Sequence, residues 1–538
     1  MRRNRMSVKE LTAPDFYNFV RDEVEQFAAD PGRIAIKYVT EDGTSRLISY
    51  RELIERTNQY ANALRHHGLK KGDRAVVIVP RSPEAYYLYL ACLKAGIVII
   101  PCSEMLRAKD LSYRISHSEA NTVIAYYTLT AEVDRIGEPL PSLKNKFTAG
   151  EGEADGWISL TGLANGESVY YEGENTARED LALLPYTSGT TGNPKAVAHT
   201  HGWAYSHLRM AGKLWLDVRE GDLVWATAAP GWQKWVWSPF VSAIGLGATA
   251  FVYNGKFHPE KYLQLLQEHE INVLCCTPTE YRFMAKLNDL SKYSLPKLRS
   301  AVSAGEPLNA QVIATFKEQF GIDVRDGYGQ SENTMMIGNL PGMKIKPGSM
   351  GKPLPGYVID IIDEKGEPVR PGEVGDIGVH RSLPALFKEY YKDPGRTEAA
   401  FRGEWYITGD QAKKDEEGYF WYEGRSDDII ISSGYTIGPF EVEDALTKHP
   451  AVKECAVVAS PDPDRGSVVK AFIVLRNPED KNREDLIPEI QDHVKRLTAP
   501  YKYPRKIEFV DELPKTTSGK IRRVELRQKE LENAKLQG

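Results

Sequence analysis

Apolar positions in the first 330 residues alternate between two patterns. Leu53, Thr57, Tyr60 and Leu64, with Ile54 and Ala61 beside them, recur at helical spacing and predict a helix with one buried side. Continuous apolar runs follow at 75–79 and 97–100, separated by a helix-compatible stretch at 83–94. The rhythm returns at 223–228, 249–253, 273–276 and 298–303, and residues 307–320 again fit a helix. Strand-sized apolar runs spaced by helices are the pattern of parallel strands covered on both faces.

Near residue 355 the texture changes. Residues 357–362 and 374–380 read as strands around the turn DEKG at 363–366, and the turn DEEG at 415–418 precedes the strand-like YFWY at 419–422. From residue 426 the order is helix, strand, strand, helix, strand, enough for a small α+β domain. The polar GRSDD at 424–428 is the expected joint. The expected fold class is α/β. A large N-terminal domain, residues 1–425, has parallel-rich sheets layered with helices plus a β-rich part, and a small α+β C-terminal domain covers 426–538.

Composition narrows the function classes. A chain of 538 residues exceeds what one hydrophobic core organises, which fits two domains. A net charge of −5 gives no reason to expect nucleic acid or an anionic membrane as partner. The five cysteines, Cys92, Cys102, Cys275, Cys276 and Cys455, are odd in number and show no CxxC spacing, so free thiols in a reducing compartment are expected. Arg2, Arg3 and Arg5 are not followed by an apolar signal segment, and no apolar run is long enough to span a bilayer. A cytoplasmic enzyme without membrane insertion fits these features.

The densest chemistry is YTSGTTGNPK at 186–195, between apolar runs at 181–184 and 196–199. Glycines let backbone N–H groups approach phosphate oxygens, the hydroxyls add donors, and Lys195 adds a positive charge. The GxxxxGK[ST] spacing of a Walker loop is absent. Composition alone is equally compatible with an ordinary Ser/Thr/Gly surface loop.

Five further segments stand beside this loop in a fixed order: SAGEP at 303–307, DGYGQSE at 326–332, WYITGD at 405–410, GRSDD at 424–428 with SGY at 433–435, and PKTTSGK at 514–520. Together the six resemble the adenylate-forming superfamily of acyl-CoA synthetases, luciferases and peptide-synthetase adenylation domains, over nearly the whole chain. The stretches at 343–353, 437–443 and 498–506 resemble medium-chain acyl-CoA synthetases within it.

The resemblance implies a function and a site. The function is activation of a carboxylic acid, a medium-chain fatty acid by subfamily, with ATP and Mg²⁺ to an acyl-adenylate, followed by transfer to coenzyme A. Thr187, Ser188, Gly189, Thr190, Thr191, Gly192 and Lys195 are expected at the ATP phosphates. Gly305, Glu306, Pro307, Asp326, Gly327, Tyr328, Gly329, Gln330 and Ser331 are expected around adenine and ribose, with Asp410 and Arg425 on the ribose side. Glu332 is the expected Mg²⁺ ligand. Lys520 is the expected catalytic lysine, its charge bridging the carboxylate and the α-phosphate in the transition state. Asp427 is the expected hinge of a mobile C-terminal domain. Ser433, Gly434, Tyr435 and Arg465 are expected at coenzyme A. Trp232 is expected in the acyl pocket, whereas Trp235 and Trp237 read as core. One position departs from the family pattern: Thr436 stands where an arginine is usual, and Arg465 or Lys470 is the expected substitute cation. Rival readings are an adenylating ligase that loads a carrier protein, an aryl-acid CoA ligase, and a ligand-binding protein with a degenerate site. The intact set Lys195, Glu332, Asp410 and Lys520 argues against the last.

Overall fold

The computed structural model describes residues 7–187, 194–306, 308, 310–426, 428–432, 435–462, 466–498, 500–516 and 519–537. By the density of their contacts the residues form two units, 1–358 with 380–400 and 359–379 with 401–538.

The first unit carries two large sheets. Among the described residues one has nine strands, and its centre is the run Val324–Gly329, Ser300–Ala304, Val273–Cys276, Leu223–Ala226, Thr249–Tyr253, Ile34–Val39, each parallel to its neighbour. The other places Lys195–Thr200, Leu181–Leu183, Val98–Cys102, Arg74–Ile78, Thr122–Tyr126 and Asn145–Ala149 side by side. The apolar runs therefore become strands close to their expected limits. Every residue of Val98–Cys102 is buried, as a strand covered on both faces requires. A fully buried Val or Ile side chain contributes roughly 1.5–3 kcal/mol, so Val98, Ile99 and Ile100 together are a large local term.

The helix marked by Leu53, Thr57, Tyr60 and Leu64 spans Tyr50–His66, with those four residues buried. Ser49 caps its start by accepting from the Glu52 amide at 3.1 Å. The helix Pro83–Lys94 is buried nearly all round, with proline at its first turn.

The second unit holds an antiparallel sheet of Ile359–Ile362, Val374–His380, Trp405–Lys414, Phe401–Arg402 and Phe420–Arg425. A three-stranded sheet, Val452–Asp462, Gly466–Leu475 and Lys506–Phe509, packs with the helices Pro439–Thr447 and Leu486–Leu497. The helix, strand, strand, helix, strand order expected after residue 426 is present. The final helix Arg523–Gln537 is an addition. Its mean hydropathy is low and it offers little apolar periodicity; Leu526 joins an apolar cluster with Phe472 and Leu513, and charged pairs supply further ties. Arg523 makes a bidentate pair with Glu443, through Nε at 3.1 Å and Nη2 at 2.6 Å, and Arg527 pairs with Asp428. Among the described residues no helix is long and apolar enough to cross a membrane.

Candidate functional site

In the sheet that contains Ser300–Ala304, the mutually parallel strands all point their C-terminal ends to one edge, where ligands of open α/β sheets bind. Four successive strand ends stand on that edge, and three of them carry expected site segments. Leu223–Ala226 leads to Trp232, Val273–Cys276 to Thr277, Ser300–Ala304 to Gly305 and Glu306, and Val324–Gly329 into Gln330, Ser331 and Glu332. Register places Ser303 opposite Asp326 and Ala304 opposite Gly327, so the two adenine-side segments are neighbours.

Two glycines are fixed by space. A Cβ on Gly231 would lie 2.4 Å from the Ser103 amide nitrogen and 2.5 Å from the Cys102 carbonyl carbon, at φ +94°. Only glycine lets this turn pass so close to the neighbouring strand, and Trp232 follows it, half-buried. Trp235 and Trp237 are buried, and Trp235 stacks on Phe240 at 5.2 Å as a core residue does. At Gly329 a Cβ would lie 2.2 Å from the Thr334 carbonyl oxygen. Any larger residue would push apart the tight chain reversal that carries Glu332.

Lys195 and Glu332, 137 positions apart by number, meet directly. The Lys195 ammonium lies 2.6 Å from Glu332 Oε1. A third residue completes the group: Tyr390 accepts from Lys195 at 2.8 Å and donates its hydroxyl to Glu332 Oε1 at 3.0 Å. Lys195 also sits over the Tyr390 ring, 4.3 Å from its centroid. Tyr390 pairs with the same strand as Lys195, through Val197, so backbone register brings it to the site. Sequence reading missed Tyr390 because nothing near YYKDP at 390–394 signals a partner so distant in the chain.

The carboxylate is 6 % exposed. It has the chemistry for Mg²⁺: one carboxylate, with the remaining ligands left to substrate phosphates and water, is how phosphate-bound Mg²⁺ is usually held. Among the described residues no cluster of three or more His, Cys, Asp or Glu supplies an all-protein cage.

Asp326 is buried, and loss of water pushes its carboxyl up to about 7, against the amides of Gly327 and Leu308 and the charge of Lys234. Tyr328 is half-buried at the end of its strand. The Gln330 amide donates to Asn333 Oδ1 at 2.8 Å. Glu306 accepts from Thr279 Oγ1 at 3.0 Å and from Arg282 at 3.2 Å. Thr187 pairs across from Lys195 and so joins the two ends of the expected phosphate loop. Ser188, Gly189, Thr190, Thr191, Gly192 and Pro307 lie outside the described residues.

In the second unit, Asp410 and Arg425 face each other across an antiparallel pair. Asp410 is buried, accepts from the Tyr422 hydroxyl at 3.3 Å, and lies 3.8 Å from an Arg425 guanidinium nitrogen. Tyr422 was not anticipated; its alternating place in the strand that pairs with Asp410 is the only signal. Lys520 is exposed in a turn in which its amide donates to Thr516 Oγ1 at 3.1 Å and its carbonyl accepts from the Thr516 amide at 2.8 Å. Tyr435 begins the short strand Tyr435–Ile437, paired with Ile430–Ser432. Asp427, Ser433, Gly434 and Arg465 lie outside the described residues. Lys470, one expected substitute for the missing arginine, is committed elsewhere. It is buried between Glu508 at 2.7 Å and Glu530 at 2.6 Å.

Comparison with known proteins identifies the family. Residues 24–391 match the AMP-binding enzyme family and residues 441–520 match the AMP-binding enzyme C-terminal domain. The chain belongs to the AMP-binding enzyme family. It is 57 % identical over 523 residues to the uncharacterized acyl–CoA ligase YtcI of Bacillus subtilis (strain 168), covering 97 % of this chain and 98 % of that protein. It is 42 % identical over 534 residues to the mitochondrial acyl-coenzyme A synthetase ACSM3 of Homo sapiens, covering 97 % of this chain and 91 % of that protein. Among solved structures it is similar to the anthranilate CoA ligase AuaEII in complex with anthranoyl-AMP. The TM-score is 0.90 and the identity 32 %, over 98 % of this chain and 100 % of that one.

Proposed function

We propose that this chain is an acyl-CoA synthetase that joins a carboxylic acid to coenzyme A through an acyl-adenylate. The observation that carries the reading is the group in which half-buried Lys195 meets buried Glu332 and Tyr390 at the C-terminal strand edge. A carboxylate oxygen of the acid attacks the α-phosphorus of ATP, the bond to pyrophosphate breaks, and acyl-AMP forms. The thiol of coenzyme A, losing its proton, then attacks the acyl carbonyl, and AMP leaves. Lys195 offers its charge to the ATP phosphates, and Glu332 is the carboxylate that would hold Mg²⁺. When bound, Mg²⁺ screens the phosphate charge against the incoming carboxylate. Asp326 and Tyr328 serve the adenine, and Asp410 with Arg425 the ribose. Lys520 bridges the reacting oxygens during adenylation.

The domain of residues 426–538 turns about Asp427 between the two half-reactions, and Ser433, Gly434, Tyr435 and Arg465 then meet coenzyme A. Rotation lets one site run two chemistries in turn. The acid is of medium chain length, a reading supported by the stretches at 343–353, 437–443 and 498–506. An aryl acid is the second reading, favoured by the likeness to a ligase solved with anthranoyl-AMP. The enzyme works in the cytoplasm without inserting into a membrane. A panel of acids from C2 to C16 with aromatic acids, scored by coenzyme A-dependent AMP release, tests the proposal. A maximum in the middle of the aliphatic series supports it, a maximum among aromatic acids selects the second reading, and no release with any acid refutes both.

A further inference from the structure

The chain around Glu332 is held by side chains to which the proposed chemistry assigns no role. His199 lies near the end of the strand Lys195–Thr200, and Trp203 and His207 lie in the helix Gly202–His207 that follows. Their rings touch in order: His199 is tilted against Trp203 with centroids 5.4 Å apart, and Trp203 stacks on His207 at 4.6 Å. Each ring sends a polar atom to a different residue flanking Glu332. His199 Nε2 donates to the Ser331 carbonyl at 2.5 Å, and Trp203 Nε1 donates to the Asn333 carbonyl at 2.7 Å. His207 Nε2 donates to the Trp237 carbonyl at 3.0 Å, which leaves Nδ1 to accept the Thr334 hydroxyl at 2.6 Å. The carbonyl of Glu332 itself accepts from the Phe387 amide at 2.7 Å.

Packing does not demand these residue types. Leucine or phenylalanine would fill the same interior space without burying a ring N–H, which is tolerated only when it finds an acceptor. All three side chains are buried, so a lost bond leaves a carbonyl or hydroxyl that bulk water does not reach. Lys195 opens the strand that contains His199, so one continuous element sets both the cation and the backbone beneath the carboxylate.

We propose that His199, Trp203 and His207 are positioning residues: they fix the backbone of residues 331–334 and so keep the Glu332 carboxylate where Mg²⁺ is to be held. The proposal rests on the reading of Glu332 given above. The test measures the Mg²⁺ concentration that half-saturates acid-dependent pyrophosphate exchange at fixed ATP. The full chain is compared with His199→Gln, His199→Leu, Trp203→Phe and Glu332→Gln. Thioester formation from supplied acyl-adenylate, which releases no pyrophosphate, is the second readout. Glutamine reaches with an amide N–H to the place of Nε2, and leucine has no donor. Trp203→Phe removes one N–H while keeping a ring, and carries the test if His199→Leu does not fold. His199→Leu and Trp203→Phe should raise the half-saturating Mg²⁺ about 5- to 30-fold, the range of one lost buried hydrogen bond. His199→Gln should stay within about threefold, and thioester formation should stay within about twofold in the His199 and Trp203 variants. An altered Mg²⁺ requirement in Glu332→Gln but in neither ladder variant overturns the ladder alone. An unaltered requirement in Glu332→Gln overturns the reading of Glu332 and the ladder with it. Equal losses in both half-reactions also overturn the ladder, because general loosening of the fold acts that way.

Discussion

Removing one oxygen tests the geometry around Glu332. In Tyr390→Phe the ring remains, so its contact with Phe387 at 4.7 Å and its place beneath Lys195 at 4.3 Å are kept. What disappears is the hydroxyl that donates to Glu332 at 3.0 Å and accepts from Lys195 at 2.8 Å. A hydrogen bond to a charged group contributes about 1.5–3 kcal/mol, and the Glu332 carboxylate is too buried for water to replace it freely. The retained cation–π contact, about 0.5–2 kcal/mol, limits the drift of Lys195 but does nothing for the carboxylate. At about 1.4 kcal/mol per decade, the adenylation half-reaction should slow about 10- to 150-fold. Acid-dependent pyrophosphate exchange measures it, with circular dichroism to establish that the variant is folded. Thioester formation from supplied acyl-adenylate should be nearly unchanged. Exchange within about twofold of wild type would refute the argument, since a bond of this kind cannot be lost from the reacting arrangement at so small a cost.

Lys520→Ala should slow pyrophosphate exchange by about 30- to 1000-fold, the loss of a charge worth about 2–4 kcal/mol in the transition state, and leave thioester formation from acyl-adenylate in place. Normal exchange in that variant would remove Lys520 from the chemistry. Trp232→Ala should shift the acid panel toward longer or bulkier acids, in graded steps of about 1–3 kcal/mol per methylene at most, and an unchanged ranking would take Trp232 out of the pocket. Burial holds His201 neutral, its pKa lowered from 6.5 to about 4. The unfolded chain therefore takes up a proton below pH 6.5 that the folded protein refuses until about pH 4, so His201 contributes stability above pH 6.5 that is lost as pH falls through that window. Denaturant titrations of His201→Phe between pH 6.5 and 4.5 should show a shallower pH slope than wild type, by up to about 1.4 kcal/mol per pH unit. Equal slopes would show that His201 titrates normally in the fold.

Local features were legible in the sequence and distant pairings were not. The runs at 249–253 and 273–276 announce the strands Thr249–Tyr253 and Val273–Cys276 because a strand buried on both faces needs apolar residues at every position. Leu53, Thr57, Tyr60 and Leu64 announce their helix for the same reason, with one face buried. Lys195 and Glu332 were reached through motifs that each fit within ten residues. Tyr390 joins them only because the strand Glu389–Tyr390 returns to pair with Lys195–Thr200, and no local pattern encodes that return. His199, Trp203 and His207 do show a spacing of four in the sequence. Their partners beside Glu332 lie more than 120 residues away, so the spacing reads as an ordinary helix face until the structure supplies residues 331–334. The helix Arg523–Gln537 escaped because the pairs Arg523–Glu443 and Arg527–Asp428 tie it down together with the buried Leu526, without a continuous apolar stripe.

The central claim is that one site makes an acyl-adenylate from ATP and a carboxylic acid. Exchange of labelled pyrophosphate into ATP, with the purified chain and Mg²⁺ and without coenzyme A, isolates that step. The account predicts exchange that depends on added acid, is lost in Glu332→Gln, and gives way to net AMP formation once coenzyme A is supplied. Absence of acid-dependent exchange across the whole panel of acids, in folded protein with Mg²⁺ present, would contradict it.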